Sequence, residues 1–140
     1  MKNKLRESVA ITIPYFDVDS MEITWHGHYV KYFEVARCAL LDKIGFNYHA
    51  MAETQYRWPI VDLQVRFIRP TRFGQDVIVT AELIEYENRL KMIYLIEDKQ
   101  TGQKLTKGHT VQVAVDSTTY ALNFVTPEPL MNKIKEYLSC

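Results

Sequence analysis

Between Arg57 and Asp116, apolar and polar residues alternate in several runs, joined by connections too short for anything but an antiparallel neighbour. Val61, Leu63, Val65 and Phe67 interleave with Asp62, Gln64 and Arg66, the two-residue period of a strand with one covered face. The loop from Arg69 to Asp76 leads to Val77, Val79, Ala81 and Leu83. A Glu87-Asn88-Arg89 turn precedes a strand over Leu90 to Glu97, and Asp98-Lys99-Gln100-Thr101-Gly102 precedes a long strand near Lys104 to Asp116. An earlier strand is expected over 8–15, where Val9, Ile11 and Ile13 alternate and Pro14 suits a strand end.

Two stretches change to a helical period. From about His28 to Ile44, the residues Tyr29, Phe33, Ala36, Leu40 and Ile44 fall on one stripe, with Tyr32 beside it. Lys31, Glu34 and Asp42 are left free to face outward, and Gly45 follows as a C-cap. A final helix is expected from Pro127 to Leu138. One long early helix beside four or five antiparallel strands defines an α+β domain, and the economical packing wraps a curved sheet around that helix. An uncovered edge or outer face of such a sheet favours association. The length, 140 residues, suits one domain over residues 1–140.

Charge and composition exclude several functions. The 17 basic and 17 acidic residues cancel, so no global field draws the chain to nucleic acid or to a membrane surface. No apolar run is long enough to span a bilayer, and Met1 to Glu7 leads into no signal-peptide core; a cytoplasmic protein is expected. Cys38 and Cys140 make neither a disulfide scaffold nor a metal set, and Cys38 reads as a small buried thiol. His26 and His28 form an H-x-H without acidic or cysteine partners at ligand spacing, so no metal site is expected. His49 and His109 are isolated, each expected to make ordinary hydrogen bonds, and Trp25 and Trp58 read as core or pocket walls.

The chemistry concentrates in Tyr15-Phe16-Asp17-Val18-Asp19, followed by Trp25-His26 and the long helix. A carboxylate such as Asp19 can attack a thioester carbonyl or deprotonate the water that does. A helix N-terminus offers unpaired N–H groups and a positive dipole end to an oxyanion, and the amide of His26 is the expected donor. An Asp just before a helix also serves as a cap or turn residue, so residue types alone leave both readings open.

The segment from Tyr15 to Arg37, YFDVDSMEITWHGHYVKYFEVAR, closely resembles the signature of hotdog-fold acyl-CoA thioesterases. The branch resembled is that of 4-hydroxybenzoyl-CoA thioesterase and the Tol-Pal-associated acyl-CoA thioesterases, whose signature runs roughly D-x-D-x-x-G-V-V-Y-H-x-x-Y-x-x-x-F-E-x-A-R. The similarity extends more loosely through Pro59 to Pro70 and the later strands. The resemblance implies a hotdog fold, a sheet wrapped around a long helix. Asp19 matches the catalytic carboxylate, and Asp17 the first acid of the pair, which is not the usual nucleophile. His26 matches the position whose N–H polarises the thioester carbonyl, and whose imidazole is also implicated. Tyr29, Glu34 and Arg37 match positions read as structural, the last two as a helix-surface pair.

Glu22 stands where the signature has Gly, whose backbone angles Glu cannot adopt freely. It either lines the acyl pocket, where it is taken with Trp25 as a substrate-binding residue, or points to solvent. Arg66, Arg69, Arg72, Arg89 and Lys91 read either as solvated strand and turn residues or as a cradle for coenzyme A phosphates, which suit Arg forks and Lys charges. The resemblance points to Arg89 and Lys91, which match the hairpin that contacts the nucleotide in relatives.

The expected activity is hydrolysis of an acyl-CoA to a free acid and CoA. No separate cofactor is required, since coenzyme A is part of the substrate. A homodimer or homotetramer is implied by the resemblance. An acyl-carrier-protein thioester is the nearest rival substrate. A hotdog dehydratase places its acid on the helix, unlike Asp19, and a non-catalytic acyl-binding protein is the remaining alternative.

Overall fold

In the computed structural model, which describes residues 4–139, helix α1 (His28–Lys43) lies across a five-stranded antiparallel sheet. The strands are β1 (Arg6–Thr12), β3 (Ile60–Phe67), β4 (Asp76–Glu85), β5 (Leu90–Asp98) and β6 (Lys104–Gln112), in the spatial order β1-β4-β5-β6-β3. Between α1 and β3 come a short helix α2 (Tyr48–Ala52) and β2 (Tyr56–Arg57). After β6 follow β7 (Ala114–Asp116), β8 (Leu122–Asn123) and helix α3 (Glu128–Ser139).

Alternation in the central strands directs one side chain in two at the helix. Val77, Val79, Ala81 and Leu83 of β4 are buried, as are Leu90, Met92, Tyr94 and Ile96 of β5. They meet the α1 stripe Tyr29, Phe33, Ala36 and Leu40. Phe33 sets the closest approach: its ring stacks on Tyr94 with centroids 4.5 Å apart, and a Cβ built at Gly108 would stand 2.5 Å from it. Glycine in the middle of β6 weakens the strand locally but lets the helix settle onto the sheet. The C-terminus of α1 is closed by Gly45 in the left-handed region, φ +82°. Its N–H donates to the Asp42 carbonyl at 3.1 Å and that of Phe46 to Leu41 at 2.9 Å, the paired bonds of a Schellman motif. Helix α3 adds Leu130 and Ile134, both fully buried, to the same core.

Four expectations need correction. The long strand over Lys104 to Asp116 is two strands: Gln112 faces both Ile60 and Leu90, where β3 and β5 begin, so β6 runs out of partners. Beyond it β7 joins a separate three-stranded sheet with β2 and β8. Second, β3 does not bury one alternating face; Val61, Leu63 and Phe67 are exposed, because β3 is an edge strand that the helix does not cover. Third, Cys38 is exposed, not buried, two residues from Ala36 and so on the opposite side of the helix. Fourth, Lys31 does not simply face solvent but reaches back to Asp17.

Replacing Gly108 by Ala is expected to lower stability by about 1–3 kcal/mol, because Phe33 and the Gln64 carbonyl leave no room for a methyl group. Urea unfolding of the variant against the native protein measures it.

Candidate active site

The chain leaves β1 through buried Ile13, turns in a short 3-10 segment over Tyr15–Asp17, and doubles back so that Val18 pairs with Thr24. Asp19 opens this small hairpin. Its N–H donates to the Ile23 carbonyl at 2.8 Å, its carbonyl accepts from Glu22 N–H at 3.0 Å, and Oδ1 accepts from Met21 N–H at 2.8 Å. These bonds describe a three-residue hairpin loop whose closing residue must be left-handed. That residue is Glu22, at φ +66°. The glycine that the signature places here has its physical reason in the turn, and Glu22 adopts the same backbone with a side chain in place.

Two clamps hold the hairpin. Thr24 N–H donates to the Thr71 carbonyl at 2.8 Å, and their hydroxyls are hydrogen-bonded to each other. The Thr71 N–H donates in turn to the Tyr29 hydroxyl at 3.2 Å, tying the loop before β4 to the first turn of α1. The second clamp is Asp17, whose side chain is 1% exposed. Both its oxygens accept from Lys31 Nζ at 2.7 Å, Oδ2 also accepts from the Tyr32 hydroxyl at 2.5 Å, and His28 Nε2 lies 3.8 Å from Oδ1. Burial alone pushes the Asp17 carboxyl up, but the hydrogen bonds from Lys31 and Tyr32 and the Lys31 charge outweigh it and hold the group below the usual carboxylate range. The Tyr32 phenol is pushed up, first by burial and then by the Asp17 carboxylate. The Asp17 carbonyl also accepts from Trp25 N–H at 2.9 Å, so one residue fixes both ends of the hairpin.

Asp19, His26 and Tyr29 together line a cleft of about 390 Å³, walled opposite by Phe67, Ile68, Arg69 and Pro70. Among the described residues none accepts from the backbone N–H of His26, which precedes the N-cap Gly27 of α1. Among the described residues no side chain caps that helix end; His28 N–H donates to the Trp25 carbonyl at 2.9 Å, and the positive end of the helix dipole lies beside the cleft that His26 and Tyr29 line. The His26 ring is exposed and packs 4.9 Å from the Trp25 ring, which folds over Gly27.

The structure thus brings Asp19 and His26 to one cleft, with Arg69 among the basic residues considered for coenzyme A on its wall, but not Glu22, Trp25, Arg89 or Lys91. Glu22 is exposed at the tip of the hairpin, and Trp25 covers Gly27; neither lines the cleft. Arg89 and Lys91 lie at the far end of the β4–β5 pair, Arg89 bonded to Glu85 at 2.9 Å. Strand β4 separates them from the Asp19 end by roughly 30 Å. Sequence reasoning did not single out Phe67, Ile68 and Pro70 as walls; they sit at the end of an edge strand, and only their exposure marked them. Among the described residues no three His, Cys, Asp or Glu side chains cluster as a metal ion would require, and no helix is long and apolar enough to cross a membrane.

The profile of the thioesterase-like superfamily matches residues 14–134, and the chain belongs to that family. A putative acyl-CoA thioesterase of Bacillus subtilis, YneP, is 31% identical over 111 residues, 79% of this chain and 80% of that protein. A DHNA-CoA thioesterase structure from Staphylococcus aureus superposes with a TM-score of 0.84 at 25% identity, covering 96% of this chain and 89% of the other. A 1,4-dihydroxy-2-naphthoyl-CoA thioesterase structure from Synechocystis also gives a TM-score of 0.84 at 15% identity, over 94% and 96% of the two chains, and shares the fold. The hotdog arrangement implied by the Tyr15–Arg37 motif is therefore the fold of this chain. The superfamily is the one expected, while the 4-hydroxybenzoyl-CoA and Tol-Pal branch is not singled out within it.

Two outcomes test the hairpin and its clamp. Glu22→Gly relieves a left-handed cost of about 1–2 kcal/mol against a smaller glycine entropy cost, so thermal unfolding should show a gain of about 0.5–1 kcal/mol. Because the folded pKa of Asp17 is depressed, its contribution is present above the unfolded carboxylate pKa and disappears as pH falls through the lower folded value. Asp17→Asn should therefore cost about 2 kcal/mol at neutral pH and progressively less on acidification below about pH 4, read by denaturant unfolding along a pH series.

Proposed function

We propose that this protein hydrolyses acyl-CoA thioesters, with Asp19 as nucleophile or general base and the backbone N–H of His26 as oxyanion donor. The observation that carries the reading is the shared cleft: a carboxylate and an unengaged N–H at a helix N-terminus line one concavity. The thioester carbonyl oxygen would lie against the His26 N–H, where charge developing in the tetrahedral intermediate meets the helix dipole. In the covalent route an Asp19 oxygen adds to the carbonyl carbon and the C–S bond breaks. CoA leaves as thiolate and takes a proton from solvent, and water then cleaves the mixed anhydride to give the acid and free Asp19. In the alternative route Asp19 takes a proton from the attacking water and no anhydride forms. The Oδ1 bond to Met21 holds the carboxylate's orientation in either case.

The edge strand β3, whose outer side pairs with no strand among the described residues, supports a homo-oligomer. Antiparallel pairing of two such edges would put one protomer's Arg89–Lys91 hairpin at the same end as its partner's Asp19 cleft, where CoA phosphates would need cations. Acyl groups of the dihydroxynaphthoyl type, for which the Synechocystis relative is named, belong to the panel worth testing.

Asp19→Asn is expected to lower kcat by two to four orders of magnitude, about the range for a lost acid–base or nucleophilic group, measured by thiol release from short-chain, long-chain and aromatic acyl-CoAs. Undiminished turnover in that variant would sink the assignment. Single turnover in ¹⁸O-water bears on the routes: label in the Asp19 carboxylate marks an anhydride opened at the Asp19 carbonyl, whereas label confined to the released acid fits general-base catalysis or an anhydride opened at the acyl carbonyl.

A further inference from the structure

The loop that crosses from β3 to β4 carries a second concavity, of about 470 Å³, adjoining the Asp19 cleft. Arg69 and Pro70 line both and form the shared wall. Beyond that wall stand Arg72, Phe73 and the buried Leu105. The hairpin holds the loop in place: Ile23 bridges to Arg72, and the Ile23 carbonyl accepts the Asp19 N–H at 2.8 Å. Asp19 and Arg72 therefore flank Ile23, two strand spacings or roughly 10 Å apart at the backbone.

The guanidinium groups here are uncommitted. Neither Arg69 nor Arg72 forms an ion pair with a described residue, whereas Arg37 and Arg89 are paired with Glu34 and Glu85. Their polar neighbour Gln75 is already engaged: Oε1 accepts from Arg72 N–H at 3.0 Å, and Nε2 donates to Asp98 Oδ2 at 2.9 Å. The other oxygen of Asp98 accepts from the N–H groups of Gln100 and Thr101, both at 2.9 Å. Two free guanidinium forks beside an apolar floor suit a carboxylate at the end of a short methylene chain. The Asp19 cleft supplies apolar walls for that chain in Ile23, Phe67 and Ile68. The competing anion is the first phosphate of an extended pantetheine arm, which stands roughly 15 Å from the thioester sulfur, farther than this loop is from Asp19. The span fits a short diacid.

We propose that Arg69 and Arg72 bind a free carboxylate on the acyl group, so that the preferred substrates are thioesters of short dicarboxylic acids. The inference rests on thioester hydrolysis at Asp19 and names the acyl class of that site. Thiol release is measured with adipyl-CoA and hexanoyl-CoA, which match in carbon count and differ in the terminal carboxylate. kcat/KM should favour adipyl-CoA by about ten- to a hundredfold, the worth of a hydrogen bond to a charged group. Arg72→Gln should cut that ratio about tenfold, and Arg72→Lys, which keeps the charge but not the fork, should restore part of it. Hexanoyl-CoA hydrolysed as well as adipyl-CoA, or a preference undiminished by Arg72→Gln, would overturn this inference while thioester hydrolysis itself stands. Turnover of neither thioester would instead count against hydrolysis, and binding then decides the carboxylate site. The monoamide of adipic acid, its amide carbonyl standing for the thioester, is titrated against hexanamide and followed through the backbone amide resonances of Arg69 and Arg72. Tighter binding of the monoamide supports the site, and equal binding overturns it.

Discussion

The buried carboxylate of Asp17 is the contact on which the geometry of the Asp19 cleft depends. It lies where the chain passes from sheet to helix, and its donors, Lys31 and Tyr32, are both on α1. An unpaired charge at that depth would be expensive, whereas a carboxylate with three accepted hydrogen bonds is held in one place. The backbone carbonyl of the same residue holds Trp25, next to His26. Asp17 therefore fixes the helix N-terminus relative to the hairpin that carries Asp19, and it does so without entering the cleft. The two acids differ in environment: the Asp17 carboxylate accepts three hydrogen bonds from α1, while Asp19 gives Oδ1 to its own turn and lines the cleft.

Placement of α1 on the sheet supplies the second constraint. Phe33 rests between Tyr94 and the bare backbone of Gly108, so the helix lies closer to β5 and β6 than any larger residue at 108 would allow. That seat fixes α1 along its axis, and the N-terminal turn then falls beside Phe67 and Pro70 at the end of β3. The cleft is a consequence of two independent packings meeting, one in the core and one at the hairpin. Neither requires a long-range electrostatic effect.

Much of this was legible in the sequence. The central strands could be read because β4 and β5 are flanked on both sides and covered by a helix, which forces strict alternation at Val77, Val79, Ala81 and Leu83. The same reading misjudged β3, since alternation at an edge strand does not say whether the apolar face is covered. The break at Val113 was equally hidden: nothing local stops the strand, and it ends because β3 and β5 start opposite Gln112. Asp19 and His26, which line the cleft, were singled out by the resemblance of the Tyr15–Arg37 motif. Lys31 was misread because a lysine on a helix surface carries no mark of the carboxylate fourteen residues earlier. Cys38 was misread for a simpler reason, having been assigned from its residue type when its position on the helical wheel already placed it opposite the core stripe.

Glu22 illustrates how a departure from a motif can preserve its geometry. The loop needs a left-handed residue after its type I turn, because only then can Asp19 bond Ile23 with its N–H and receive Met21 with its carboxylate. Glycine meets that need without strain; glutamate meets it at a cost that the surrounding bonds cover. Thr24, locked to Thr71, and Asp17, locked to Trp25, hold the two stems of the hairpin so that its tip has no alternative. The side chain at 22 then points to solvent at the rim, outside the residues that line the cleft. What the substitution alters is the exposed tip of the hairpin, where a carboxylate side chain replaces bare backbone, while the position of the Asp19 carboxylate is governed by the same turn that glycine would make.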